Sequence, residues 1–153
     1  MTQLVERTIL FADLRGSTSL YESLGNAEAA RVVTQSVSLL AQIVDARGGR
    51  VIKTLGAGLM AMFQAPRAAV QAADDMHESI ERIGATGPVS ERRAPLRLQV
   101  AMAHGEVIEM SGDVFGDAVN VAARLLDHAG DNETLATATV LDGLGPAERE
   151  RFR

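Results

Sequence analysis

The sequence contains no cysteine and no tryptophan, and aromatic residues make up only 3% of its 153 residues. Without cysteine there is no disulfide framework, no thiolate metal site and no cysteine nucleophile, and a reducing compartment is the expected location. The scarcity of aromatic rings also argues against a surface on which nucleic-acid bases stack.

The chain also lacks an excess of basic residues and a long apolar run. Its formal net charge of -5 argues against nonspecific binding to nucleic acid or to an anionic membrane, because such binding needs clustered Lys and Arg. The first apolar run is broken by Asp13 and Arg15, which makes it too short for a signal sequence or a membrane span. We therefore expect a soluble cytoplasmic protein without nucleic-acid or membrane partners.

Several stretches have the composition of β-strands. They are Thr8 to Ala12, the two arms of a hairpin within residues 50–63, a strand from Leu96 to His104 that turns at Gly105 and returns through Glu106 to Met110, and a short strand after Glu133. The tip of the first hairpin, Gly56-Ala57-Gly58, is expected to need the freedom of glycine at positive φ.

Three longer segments have helical periodicity. The first begins with Asn26 as its N-cap and stops at Gly48-Gly49, the second begins at Pro66 and ends within Gly84 to Pro88, and the third is capped by Asp117 and runs through Leu126. A short helix is also predicted after Arg15, with Ser17 or Thr18 as its N-cap. The charged final residues, GPAERERFR, are expected to be peripheral.

The order of these elements predicts an α+β fold. We expect one domain over residues 1–153, with a mostly antiparallel sheet and helices packed on one face, as in ferredoxin-like sandwiches.

Asp13 stands at the end of the first strand, directly before the turn Arg15 to Thr18. A carboxylate at a strand end can bind Mg²⁺, while free amide N–H groups at the start of the next helix can bind phosphate oxygens. The alternative is that Asp13 only ends a strand and Ser17 only caps a helix, and the local pattern does not separate the two.

Asn120 and Arg124 are four residues apart in the third helix, so they project from the same face. The planar guanidinium of Arg124 suits phosphate charge, although an ordinary solvated helix face has the same pattern. The neighbours expected to face the core are Val119, Ala122, Ala123 and Leu126.

Three segments together resemble the catalytic core of class III adenylate and guanylate cyclases, especially bacterial ones. They are FADLRGST, GGRVIKTLGAGLMAMF and HGEVIEMSGDVFGDAVNVAARL, and the resemblance covers about residues 8–138. In that family two domains pair head to tail and share each active site. The resemblance implies a homodimeric adenylate cyclase that converts ATP into 3′,5′-cyclic AMP and pyrophosphate, with two Mg²⁺ or Mn²⁺ ions per active site.

The resemblance also implies a role for each matching residue. Asp13 and the backbone carbonyl of Leu14 would bind the metals. The phosphates would be bound by the turn formed by Arg15, Gly16, Ser17 and Thr18.

The remaining roles fall to residues contributed by the partner chain. Lys53 and Asp113 would select the base, and their chemistry suits adenine, because an ammonium can donate to N1 and a carboxylate can accept from the 6-amino group. Asn120 would orient the ribose, and Arg124 would stabilise charge on the phosphate under attack.

The resemblance fails at Ala57, where the family has its second metal-binding aspartate. A methyl group cannot bind a cation, so poor or absent turnover is expected. Either an Asp→Ala change was made to disable the enzyme, or a natural loss has left an inactive pseudo-cyclase that senses nucleotide or mediates dimerisation. The first explanation is favoured by the presence of Lys53, Asp113, Asn120 and Arg124.

A second difference from the family lies at the end of the sequence. Family members usually continue past Arg153 into a strand pair that carries a lysine, which leaves open that the domain is truncated. A diguanylate cyclase is disfavoured because residues 55–59 read LGAGL rather than the GG(D/E)EF of such enzymes.

Overall fold

The β-prone run that ends before Asp13 lies within a long first strand, β1 (Gln3–Arg15). The structure, a computed structural model, describes residues 2–86 and 96–153. After β1, the described residues form α1 (Ser17–Leu24), α2 (Asn26–Ala46), β2 (Arg50–Leu55), β3 (Gly58–Phe63), α3 (Pro66–Thr86), β4 (Arg97–Met110), β5 (Asp113–Phe115), α4 (Asp117–Leu126), β6 (Glu133–Ala136), α5 (Ala138–Leu141) and α6 (Pro146–Arg149).

The strands form one sheet in the order β2-β3-β1-β4-β5, with β6 also paired to β4. All pairs are antiparallel except that between β4 and β6. The longest pairing joins β1 to β4 from Gln3 opposite Glu109 to Arg15 opposite Arg97. The predicted α+β fold with a mostly antiparallel sheet is confirmed.

The two faces of the sheet have separate cores, because side chains alternate between faces along a strand. Leu10, Ala12 and Leu14 of β1 pack with the long helices α2 and α3, which share one face as predicted. Ile9 and Phe11 point the other way and pack with the buried side of α4, so a third helix covers the opposite face. The alternation places Asp13 on the α4 side.

The predicted turn at Gly105 is wrong. Gly105 lies inside β4, opposite Arg7 of β1, and the chain instead turns at Ser111 and Gly112, both at positive φ. The reason is the length of β1, which begins at Gln3 rather than Thr8 and so pairs with β4 on both sides of Gly105.

The predicted N-caps are also wrong, each by one or two residues. The residues that cap α1, α2 and α4 are Gly16, Gly25 and Gly116, and all have positive φ. A positive φ at these positions favours glycine over a residue whose side chain could cap the helix.

The charged final residues, 145–153, lie at the surface as predicted, since none of them is buried. Arg151 forms two hydrogen bonds to Asp74 of α3, at 2.7 and 2.8 Å. The core begins again just before this segment, where Val140 and Leu144 are buried. Helix α3 extends to Thr86. The rest of its predicted end, residues 87–88, lies outside the described residues. Within the described ranges, no helix has both the length and the hydropathy needed to cross a bilayer.

Candidate functional site

The tip of the hairpin between β2 and β3 lies against the end of β1. Leu14 donates its backbone N–H to the carbonyl of Ala57 at 3.0 Å, and Gly58 lies opposite Asp13 in the strand register. A Cβ at Gly58 would overlap the backbone oxygen of Ala12, so this close approach requires glycine. Gly56 has a φ of 57°, which confirms the positive φ predicted for the tip. Position 57 is therefore held beside Asp13.

Replacing Gly58 by alanine is expected to move the hairpin tip away from β1 and to lower the free energy of unfolding by about 2 kcal/mol, as overpacking does. Urea denaturation measures this change. Gly130→Ala is the matched control, because a Cβ there would make only an ordinary contact with Glu133, at 3.6 Å. Equal stability of the two variants would contradict the close approach.

Asp13 is partly buried, with 29% of its side chain exposed. Burial raises the pKa of Asp13 above its ordinary value, and the positive charge of Arg15 partly offsets that rise. The Nε atom of Arg15 lies 3.2 Å from Oδ2 of Asp13 and donates a hydrogen bond to Oε1 of Gln99 at 2.8 Å. Asp13 is thus a partly desolvated carboxylate with a cationic neighbour, Arg15.

The donor atoms near Asp13 are few for two divalent ions. Mg²⁺ and Mn²⁺ prefer oxygen ligands, usually carboxylates, and Mg²⁺ takes six of them. Position 57 offers a methyl group, and the described part of the chain has no group of three His, Cys, Asp or Glu residues that could hold a metal. Asp13 and the Leu14 carbonyl could therefore hold one divalent ion that takes its other ligands from elsewhere, and they are too few for two.

The turn after β1 leads into α1 without a side-chain cap, since the N-cap is Gly16. Ser17 and Thr18 lie in the first helical turn, where backbone N–H groups have no partner inside the helix. Such groups attract anions because the N-terminal end of a helix carries partial positive charge. The turn can therefore bind an anion next to Asp13.

Lys53 and Asp113 come together although they are 60 residues apart in sequence and belong to the outer strands β2 and β5. Nζ of Lys53 donates to Oδ2 of Asp113 at 3.1 Å, and the Val114 amide donates to Oδ1 at 2.7 Å. Both hydrogen bonds lower the pKa of Asp113, and the bond from Val114 has the larger effect. The result is an exposed ion pair with one donor and one acceptor side by side.

Asn120 and Arg124 lie one turn apart on α4, and both are exposed, as the spacing predicted. Nε of Arg124 donates to the backbone oxygen of Asn120 at 3.4 Å. The buried side of α4 consists of Ala118 and Ala122. The prediction for Ala122 is confirmed and that for Ala123, which is exposed, is wrong.

The described hydrogen bonds and ion pairs of a single chain do not join Asp13 to Lys53, Asp113, Asn120 or Arg124. The structure brings Lys53 to Asp113 and keeps Asn120 beside Arg124, while Asp13 contacts Arg15. Sequence reasoning missed Gln99, which bonds to Arg15. In the sequence, Gln99 stands out as a polar residue of a β-strand between two apolar ones, Leu98 and Val100, whose side chains point to the opposite face of the sheet.

Comparison with known proteins identifies the family. A model described as the adenylate and guanylate cyclase catalytic domain matches residues 1–152. An uncharacterised protein of Mycobacterium tuberculosis is 34% identical over 134 residues, which cover 88% of this chain and 33% of that protein. An adenylate cyclase of Streptomyces coelicolor is 31% identical over 145 residues, covering 93% of this chain and 35% of the relative.

Solved structures have the same fold. A bacterial light-regulated adenylyl cyclase superimposes with a TM-score of 0.82 at 28% identity, over 95% of this chain and 46% of that one. The chain spans about a third of the length of the curated relatives it matches. From the family match, the chain belongs to the class III adenylate and guanylate cyclase catalytic domains.

Proposed function

We propose that this chain is an adenylate cyclase domain that binds ATP at a homodimer interface and forms 3′,5′-cyclic AMP and pyrophosphate slowly, because Ala57 replaces a metal-binding aspartate. The observation that carries the choice of ATP is the ion pair of Lys53 with Asp113, 3.1 Å apart. Family membership supports cyclase chemistry, and the pair supports adenine over guanine.

The donor and acceptor pattern of this pair is complementary to adenine. The Lys53 ammonium has only hydrogen-bond donors and can donate to N1, while the Asp113 carboxylate has only acceptors and can accept from the 6-amino group. Guanine presents a donor at N1 and an acceptor at position 6, so both contacts would be lost. A site built around such bonds rejects the wrong base because buried polar groups are left unpaired.

The other residues orient the triphosphate and the ribose. The start of α1 binds phosphate oxygens, Asn120 orients the ribose, and Arg124 stabilises negative charge on the α-phosphate. The ribose 3′-hydroxyl loses its proton to water as its oxygen forms a bond to the α-phosphorus, and the bond from that phosphorus to the pyrophosphate oxygen breaks. A divalent ion, when bound by Asp13 and the Leu14 carbonyl, supplies electrostatic stabilisation of the charged phosphates.

The site requires two copies of the chain. Asp13 and the start of α1 form one half, and the second half consists of Lys53, Asp113, Asn120 and Arg124. Because cyclase domains of this family act as dimers, we assign the two halves to opposite protomers of a two-fold dimer, in which the complete site occurs twice.

A second candidate is a pseudo-cyclase that binds ATP without converting it and serves as a nucleotide sensor or dimerisation module. It is favoured by the single carboxylate at Asp13, where the family has two. It differs from a slow enzyme in one measurable respect, since restoring an aspartate at position 57 would not produce activity.

Exchanging the base-selecting charges tests the proposed substrate. Lys53→Glu with Asp113→Lys keeps an ion pair but reverses donor and acceptor, so the preference should move from ATP towards GTP by about a hundredfold or more, as the loss of two polar contacts implies. Calorimetric titration of each nucleotide with Mn²⁺ measures both affinities.

The matched control is the ion pair of Arg50 with Glu109, which join at 2.9 Å. Arg50→Glu with Glu109→Arg should leave the ratio of ATP to GTP affinity unchanged. Absence of nucleotide binding by the natural chain, or an unchanged preference in the Lys53 and Asp113 exchange, would refute the proposed base contacts.

A further inference from the structure

Gln99 lies directly opposite Asp13 in the pairing of β4 with β1. Directly opposite residues in neighbouring strands project from the same face, and residues two apart in one strand do so as well. Asp13, Arg15 and Gln99 therefore share the face of the sheet that α4 covers. Leu98 and Val100, on either side of Gln99, are buried on the other face.

The side-chain amide of Gln99 is held at both ends. Its Oε1 accepts from Nε of Arg15 at 2.8 Å, and its Nε2 donates to the backbone carbonyl of Ala129, just after α4, at 2.7 Å. The guanidinium can only donate and the carbonyl can only accept, so the orientation of the amide is unambiguous. Gln99 is thereby fixed between β1 and the loop that follows α4.

The hydrogen bond to Gln99 uses the only hydrogen on Nε of Arg15. That nitrogen also lies 3.2 Å from Oδ2 of Asp13, yet none of the described hydrogen bonds ends on the Asp13 carboxylate. Arg15 is thus close enough to balance the charge of Asp13 without forming a hydrogen bond to the carboxylate oxygens.

We propose that Gln99 is a positioning residue for Asp13. By accepting the Nε–H of Arg15, it keeps the guanidinium beside the carboxylate as a counter-charge and leaves the carboxylate oxygens open to a cation shared with the nucleotide. Without Gln99, the Nε–H turns to Oδ2 of Asp13 and forms a direct, charge-assisted hydrogen bond. This role of Gln99 rests on the proposed function of Asp13 as a ligand.

Two measurements test this role, and the first requires no nucleotide. In ¹H–¹⁵N spectra of the free protein, the Arg15 Nε–H resonance should move downfield in Gln99→Leu, because a carboxylate accepts a stronger hydrogen bond than an amide. Adding Asp13→Asn to that variant should reverse the move. An Arg15 resonance that Gln99→Leu leaves unchanged would overturn the proposal.

The second measurement is the affinity for Mn²⁺ in the presence of ATP, followed by the electron paramagnetic resonance of free Mn²⁺. Gln99→Leu should weaken binding about tenfold, as capture of a carboxylate by a charged hydrogen bond would.

If Gln99 acts through Arg15, the effects of substituting the two residues should not add, whereas a general structural effect of Gln99 would add to that of Arg15. In an Arg15→Met background, Gln99→Leu should cause no further loss of Mn²⁺ affinity, because no guanidinium is left to capture Asp13. Gln35→Leu is the matched control, since Gln35 also accepts from an arginine, Arg31, at 3.0 Å, and it should leave the affinity unchanged. An equal loss from Gln99→Leu with and without Arg15 would overturn the proposal.

The failure of this inference can be told apart from failure of the proposed function. If the natural chain does not bind Mn²⁺ and ATP, the function assigned to Asp13 is wrong, and the Arg15 resonance alone decides whether Gln99 controls its hydrogen bond. If the natural chain binds both and Gln99→Leu binds them equally well, the function stands and the role of Gln99 is refuted.

Discussion

Replacing Ala57 by aspartate is expected to raise the rate of cyclic AMP formation from ATP by roughly a thousandfold, since metal stabilisation of a phosphoryl-transfer transition state contributes several kcal/mol. The hydrogen bond from Leu14 to Ala57, at 3.0 Å, already holds residue 57 beside Asp13. Cyclic AMP is measured with Mn²⁺ and ATP in the natural chain and the variant.

Two further variants show whether the gain comes from the restored carboxylate. Ala57→Asn has nearly the same shape as the aspartate but no charge, and it should remain as slow as the natural chain. Asp13→Asn, added to Ala57→Asp, should remove the gain, because a single carboxylate is again left. If Ala57→Asp gives no activity although ATP binds, the slow-enzyme account is wrong and the pseudo-cyclase account is supported.

Much of the candidate site could be predicted from local sequence. The uninterrupted apolar run before Asp13 is typical of a strand buried on both faces, and the structure buries Ile9 and Leu10 completely. The spacing of Asn120 and Arg124 likewise placed both on the exposed side of one helix. These features depend on the alternation of side chains along a strand and on the periodicity of a helix, and both can be recognised in a short stretch of sequence.

Apart from the helix N-caps and Ala123, the errors concern contacts between distant segments. Gly105 is typical of a turn, but the 13 residues of β1 pair along β4 on both sides of it, and local composition does not reveal the length of a partner strand. Gln99 was missed for the same reason, because its role arises from its position opposite Asp13. Likewise, the surface ion pair of Arg151 with Asp74 joins residues that are 77 positions apart in sequence, and no local pattern predicts it.

The proposed division of the site between two protomers predicts that two inactive chains regain activity when they are combined. In the Ala57→Asp background, one chain also carries Asp13→Asn and the other also carries Arg124→Ala. Each homodimer lacks an essential group in both of its sites and should be inactive. A mixed dimer has one site with both defects and one site with none, because the proposed site takes Asp13 and Arg124 from different chains.

The most direct test of the shared site is therefore the rate of cyclic AMP formation when these two chains are co-expressed. Random pairing should restore about a quarter of the activity of the undamaged Ala57→Asp dimer, since half of the dimers are mixed and each has one intact site. Co-expression of Arg124→Ala with Asn120→Ala, whose defects lie in the same half of the site, should restore nothing. If the Asp13→Asn and Arg124→Ala chains also remain inactive together, the site is not shared between protomers.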